Sequence, residues 1–399
     1  MKSTTLSVAA AITILGMLSS ANANTLDDAF LKGKISGDIT ITYEARDQDK
    51  ELNDYYNDSA YSVGSAELIY QTGALNNFSA TIGFRGYGVL YEDDKTVGGG
   101  YGLGIGDASS RFFKINGESI VVPTNLYVAY DTDNMHVKVG RHELNTEWFD
   151  EHHDGISIYA NPNEKSELEL IWSSKHNRLW ARELFYGGTI EGVMGTINSE
   201  GGGVYKAGYT YDLLDSLKAK AYIMEAPDNY SVYGGKATFS AKAANDVSYG
   251  GYLHYMQTNE KIKPHDGELF DVNAYVGFSD VTVGLGYIET GKYGGWGSAV
   301  NGGETVDPFE EGDQTYINNS RTPYITLSTT VAGVSLYGIY GVTTYGLEDY
   351  EKDEFCVWAG YNITDKLSLG AILTITNEDE NDPNTTDMVQ TSATLVYKF

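Results

Sequence analysis

The stretch Met388–Phe399, MVQTSATLVYKF, alternates almost strictly. Val389, Thr391, Ala393, Leu395, Tyr397 and Phe399 share one face. Gln390, Ser392, Thr394 and Lys398 share the other, where Met388 and Val396 are the only apolar members. A period of two with one apolar and one polar face marks a β-strand. At about ten to twelve residues such a strand can cross a bilayer at a tilt. A strand closing a soluble sandwich would alternate in the same way, so the rest of the chain has to decide.

The same rhythm runs through the chain. In residues 34–44, Ile35, Gly37, Ile39, Ile41 and Tyr43 face one way and Lys34, Ser36, Asp38, Thr40, Thr42 and Glu44 the other. Ala66, Leu68 and Tyr70 form the apolar face of a second strand, and Phe78, Ala80, Ile82 and Phe84 that of a third. Tight connections are expected at 131–134, 161–164, 212–216, 245–246, 279–280, 332–333 and 364–365. Long polar or Gly-rich ones are expected at 46–59, 92–117, 175–203 and 290–320. Strands with short turns at one end and long loops at the other predict an all-β fold, a transmembrane antiparallel up-and-down β-barrel of about 18 strands with short periplasmic turns and long external loops.

Charge placement fits a lipid-facing wall. A Lys or Arg facing mid-bilayer costs roughly 2–4 kcal/mol, and the outward faces carry almost none. Arg141 is the exception, at a strand end where snorkelling or a bulge could accommodate it. Outward tyrosines (Tyr43, Tyr70, Tyr130, Tyr211, Tyr255, Tyr287, Tyr340, Tyr361 and Tyr397) fall near strand ends, where aromatic girdles lie. The 32 Tyr suit strands and membrane interfaces, and the 46 Gly suit turns and crowded strands. The formal net charge of −28 argues against a nucleic-acid partner. Residues 1–23 read as a signal peptide: Lys2, an apolar core over 6–17, then Ala21-Asn22-Ala23 as a cleavage site. Residues 24–399 form the barrel domain. The single cysteine, Cys356, allows no internal disulfide, and its parity turns it away from lipid, where it is a small filler.

The closing stretch resembles the last strand of bacterial outer-membrane barrels, whose terminal Phe is an assembly signal. Tyr397 and Phe399 match it, and this implies the barrel-assembly machinery as a partner. VKVGRHELNT at 137–146 is similar to a "VGRQ-EL-T" segment of OprD-type outer-membrane porins. LDDAFLKGKISGDI at 26–39 is similar to the start of OprD-like porins of epsilon-class proteobacteria. His142 departs from the usual Gln. In that family the segment leads into a constriction loop. This makes Arg141, Glu143, Glu147, Asp150, Glu151, His152, His153 and Asp154 the constriction candidates, although EWFDEHHD at 147–154 is short for a long infolded loop. The family also often carries a basic ladder along one lumen wall. The matching candidates are Lys138, Lys206, Lys218, Lys220 and Lys236, which could equally be ordinary solvated lumen residues.

Enzyme-like features are weaker. Asp150–Asp154 contains metal-competent side chains, but neighbours in an extended chain point apart, so no metal or other cofactor is expected. His254 is a potential lumen base without an identifiable partner. The Gly run at 98–102 lacks the Lys-Ser/Thr of a phosphate loop. The acidic segment 378–387 reads as an external loop, bridged to lipopolysaccharide by divalent cations. The chain is therefore expected in the outer membrane of a Gram-negative bacterium, among lipid and lipopolysaccharide. There it would pass small hydrophilic solutes with a weak cation preference, as a monomer or a homotrimer. The rival is a loop-plugged structural or adhesin-like barrel that binds a partner through its acidic loops.

Overall fold

The computed structural model describes residues 22–49, 58–93, 97–98, 105–106, 108–111, 113, 120–189, 202–243, 247–299 and 306–399. Residues 1–21 of the expected signal peptide, the 245–246 turn and most of the Gly run at 98–102 lie outside them.

The alternating segments form strands β1 (Lys34–Gln48), β2 (Ser59–Gln71), β3 (Phe78–Glu92), β4 (Ile120–Asp131), β5 (Met135–Asn145) and β6 (Asp150–Asn163). They continue as β7 (Ser166–Leu179), β8 (Val204–Leu214), β9 (Leu217–Ala226), β10 (Tyr230–Lys242), β11 (Ser248–Glu260) and β12 (Glu268–Phe278). The last six are β13 (Val281–Thr290), β14 (Arg321–Val331), β15 (Val334–Tyr345), β16 (Tyr350–Asn362), β17 (Leu367–Glu378) and β18 (Met388–Lys398). Each pairs antiparallel with its sequence neighbours, and β18 pairs with β1 from Asp38↔Lys398 to Gln48↔Met388. The result is a closed barrel of 18 strands, in which ladder bonds around the ring replace the water that lipid cannot offer.

The alternation in β18 maps directly onto burial: Val389, Thr391, Leu395 and Tyr397 are exposed, whereas Gln390, Ser392, Thr394 and Val396 are buried inside. Of the nine girdle tyrosines, six are exposed, and Tyr70, Tyr130 and Tyr287 are half-buried. Cys356 is buried on the inward parity. Tight turns close one end. At 332–333 both Ala332 (φ 51°) and Gly333 (φ 83°) are left-handed, as a two-residue hairpin turn matching strand twist requires.

The glycines have a packing role. Gly286 is the register partner of Tyr324, and a Cβ on it would stand 1.9 Å from the tyrosine Cζ. Gly234 stands in the same relation to Tyr222, at 2.1 Å. Inward tyrosine rings thus lie flat across glycines of the neighbouring strand, so large residues line a crowded wall without projecting from it.

Three expectations change. The outer connections are not uniformly long: those at 146–149, 227–229 and 346–349 are tight, because the flanking strands continue to within a few residues of one another. The segment 175–203 is not one loop. β7 runs through it to Leu179, and Leu184–Thr189 folds back to pair with β7. Arg141 does not snorkel. Its guanidinium donates to Asp154 on the next strand (Nη2–Oδ2 2.7 Å) and to the Pro123 carbonyl (2.9 Å). Pro123 precedes a bulge in β4 where the register with β3 skips Thr124.

Candidate pore constriction

The β5–β6 hairpin reaches into the barrel. β5 pairs with β4 only from Asp131↔His136 to Leu126↔Arg141, while β4 continues along β3 to Ile120. Beyond Arg141 the hairpin pairs with no strand on that side among the described residues. Its two ends also lose the alternation: Glu151, His152 and His153 are consecutive and all buried. Both faces of this end therefore lie inside the barrel. Gly140, at φ 120°, takes up the bend where any Cβ would strike the Leu126 carbonyl at 2.2 Å.

The tip is the turn 146–149. Thr146 Oγ1 accepts from the Phe149 amide (3.1 Å), and the Thr146 amide donates to the Phe149 carbonyl (2.7 Å). The turn sends Glu147, Trp148 and Phe149 toward the β8–β14 wall. Glu147 meets the ammonium groups of Lys220 (2.7 Å) and Lys206 (3.1 Å), which also contact Glu169. Burial raises the Glu147 carboxyl pKa, but the two lysines outweigh it and hold the group well below the usual carboxylate range. Trp148 packs edge-on against Trp296 (6.1 Å between centroids, 86°) and beside His254 (5.8 Å).

Trp296 belongs to the β13–β14 connection, whose described residues fold inward. Trp296, Ala299 and Val306 join Trp148, Phe149, Met224, Val232, Met256, Leu269 and Ile288 in one buried apolar cluster, with Phe309 and Tyr316 against it. A polar lumen was expected here; an apolar plug occupies it. His254 also gains a partner, the Tyr222 hydroxyl at 2.7 Å.

The opposite side of the lumen is held by charge. Glu311 pairs with Arg46 of β1 (2.6 Å), and Lys352 of β16 donates to Gln314 Oε1 (2.8 Å). The amides of Glu310 and Glu311 donate to Glu354 at 3.0 and 3.1 Å. From the β7–β8 connection, the Ala181 carbonyl accepts from Thr42 (3.3 Å), and Arg182 reaches both Ser392 (3.4 Å) and Glu310 (2.9 Å). Lower on this wall Arg85 joins Asp38 and Glu67, each at 2.6 Å.

The sequence-derived candidates separate accordingly. Of the constriction set only Glu147 lies in a loop. Arg141, Glu143, Asp150, Glu151, His152, His153 and Asp154 are strand residues of β5 and β6. Arg141 and Asp154 pair with each other where β4 leaves the hairpin. His153 is spoken for by Ser173 Oγ (2.8 Å) and the Asp150 carbonyl (2.7 Å), and it stacks on His176 at 4.8 Å. Glu151 lies 3.2 Å from His176. Among the described residues, no group of three or more His, Cys, Asp or Glu is arranged to hold a metal ion. The five lysines form no continuous ladder. Lys206 and Lys220 are tied to carboxylates, Lys236 and Lys138 lie over the Tyr252 and Tyr127 rings, and Lys218 pairs with Asp212 near the periplasmic turn. The expectations missed Arg46, Arg182, Glu310, Glu311, Trp296 and Lys352. Inward parity in β1 and β16 marks Arg46 and Lys352, but nothing local marks the loop residues.

This architecture defines an outer-membrane β-barrel with the fold of OprD-type porins, and the chain resides in the outer membrane. Residues 1–169 match the family model of the Campylobacter major outer membrane protein. The barrel is similar to that of Pseudomonas aeruginosa OccK9 (OpdG), with a TM-score of 0.75 over 93% of this chain and 99% of that one, at 12% identity. It is similar to Acinetobacter baumannii OccAB1, with a TM-score of 0.74 over 93% and 97% at 12% identity. It is also similar to Pseudomonas aeruginosa OccK3 (OpdO), with a TM-score of 0.68 over 94% and 97% at 14% identity. At such identities the likeness is one of fold. No curated protein matches the sequence.

Proposed function

We propose that the chain is a diffusion porin that passes small hydrophilic solutes and ions, with a weak preference for cations, and catalyses no reaction. The family match and the fold support a channel. The cation preference rests on one observation. Arg46 and Arg182 are each held by one carboxylate and Arg85, Lys206, Lys220 and Lys352 by two, while Lys138 and Lys236 lie over tyrosine rings. A neutralised base offers little to an anion, while the external loops add acid that attracts cations within the screening length of about 8–10 Å. The reversal potential of purified protein in a planar bilayer under a KCl gradient tests this. A cation-signed potential is expected, and an anion-signed one would reinstate the lysines as selectivity residues.

The apolar plug gives the second reading its specific support: a barrel closed by its own loops that binds a partner outside. Such a barrel would show no conductance. The terminal Tyr397-Lys398-Phe399 is proposed as the recognition element for barrel assembly. Its Phe399 amide and carbonyl exchange bonds with Gly37 of β1 (3.1 and 3.3 Å), so deleting Phe399 should cut yield in the outer membrane. Homotrimer formation and divalent bridging of 378–387 to lipopolysaccharide are proposed on the same footing, testable by native mass and by chelator-induced release.

A further inference from the structure

Two infolded connections meet inside the barrel. The 180–183 segment arrives from β7, and the 306–316 segment arrives from β13. Each has its own anchors. The first is held by Arg178–Glu183 (2.9 Å), Tyr87 hydroxyl to the Trp180 carbonyl (3.1 Å) and Thr42 to the Ala181 carbonyl. The second is held by Arg46–Glu311, by Lys352 on Gln314, and by Glu354 on two amides. The two segments meet in an ion pair between Arg182 and Glu310. Its side chains are 30% and 19% exposed, whereas Arg46, Arg85, Arg178, Lys206 and Lys352 are 6% exposed or less. Water therefore reaches the Arg182 guanidinium more than the basic groups of the anchors around it, while Glu310 is about as exposed as the anchor carboxylate Glu183.

We infer that Arg182–Glu310 is the gating and selectivity contact of the barrel, the point where the two segments part and where a passing ion meets charge. The inference rests on the porin reading. The anchors are desolvated and multiply bonded, so breaking one strands a buried charge. The Arg182–Glu310 bridge is partly hydrated, and both ends keep second partners when it opens: Ser392 for Arg182, and the Trp358 indole (3.3 Å) for Glu310. Parting it exposes a guanidinium on one lip and a carboxylate on the other.

Reversing one charge should repel the segments and leave a single sign at the opening. The test uses full-length protein in planar bilayers, comparing wild type, Arg182→Glu, Glu310→Arg and the double exchange. Heat-modified electrophoresis checks that each is folded, and Arg182→Gln and Glu310→Gln replace any variant that is not. Each single variant is expected to raise conductance. Arg182→Glu should move the reversal potential toward cations and Glu310→Arg toward anions, with the double exchange returning conductance toward wild type. A conducting wild type whose folded variants keep the same conductance and reversal potential overturns the gate and leaves the porin reading standing. A silent wild type opened by both single variants supports the gate, and silence in every variant overturns both.

Discussion

The two sides of the lumen are closed by different physics. Toward β9–β14, the hairpin tip and the 291–299 segment bury Trp148, Phe149 and Trp296 in a continuous apolar cluster. Toward β16–β18 and β1, the 306–316 and 180–183 segments are held by ion pairs and amide-to-carboxylate bonds. Apolar packing in a dry cluster is non-directional and costly to open, since each large side chain loses many contacts at once. A partly hydrated ion pair contributes little and exchanges easily with water and mobile ions. The comparison makes the plug the fixed wall of the constriction and the Arg182–Glu310 bridge, alone within the charged seam, its moving edge.

The largest effect is expected on the fixed side. Trp296→Ala removes the partner of Trp148 and should destabilise the plug by about 3–5 kcal/mol. Channel noise should rise sharply while heat-modified mobility stays near wild type, because the strand ladder is untouched. A quiet channel would break the contrast. Gly286→Ala, on the wall beneath the plug, puts a Cβ 1.9 Å from Tyr324 Cζ and should cost roughly 1–3 kcal/mol. A lowered unfolding temperature in the electrophoretic shift checks it.

Glu147→Gln should be milder than Trp296→Ala, at about 1–3 kcal/mol, because Lys206 and Lys220 keep Glu169. It should move the reversal potential toward anions. The pH dependence of this tether has a definite sign. A carboxyl pKa lowered on folding gives stability that is complete above the ordinary carboxylate value and lost only as pH falls through the lowered one. The difference between Glu147→Gln and wild type should therefore persist from about pH 8 to about pH 5, and a difference that vanishes within that window would mean that burial raises the Glu147 pKa instead. The smallest effect is expected at Lys218, whose pair with Asp212 is 61% and 34% exposed. Lys218→Glu should change stability by no more than about 0.5 kcal/mol. In the double variant with Lys220→Glu, the shift toward cations should come from Lys220.

The strands and their faces were legible because parity is local. Every second residue of β1 or β18 faces lipid whatever the rest of the chain does, and lipid tolerates only apolar side chains there. The same logic put Cys356 and the lysines inside. It read 147–154 as loop because acidic and His-rich sequence is polar, whereas in the barrel that polarity is buried between β5, β7 and the infolded segments, leaving only a four-residue turn at 146–149. Parity also hid the change at Arg141, beyond which one edge of the hairpin is unflanked and both faces are interior.

By itself, then, the sequence determined the closed barrel, its membrane-facing surface and the sign of its excess charge, since each follows from residue pattern or composition. Which charges meet was decided by the tertiary structure alone. Arg182 lies 128 positions from Glu310, and Arg46 lies 265 from Glu311. No local period carries information over such separations. Only barrel closure and the inward fold of three connections bring those side chains to one seam and tie Lys206 and Lys220 to Glu147 and Glu169.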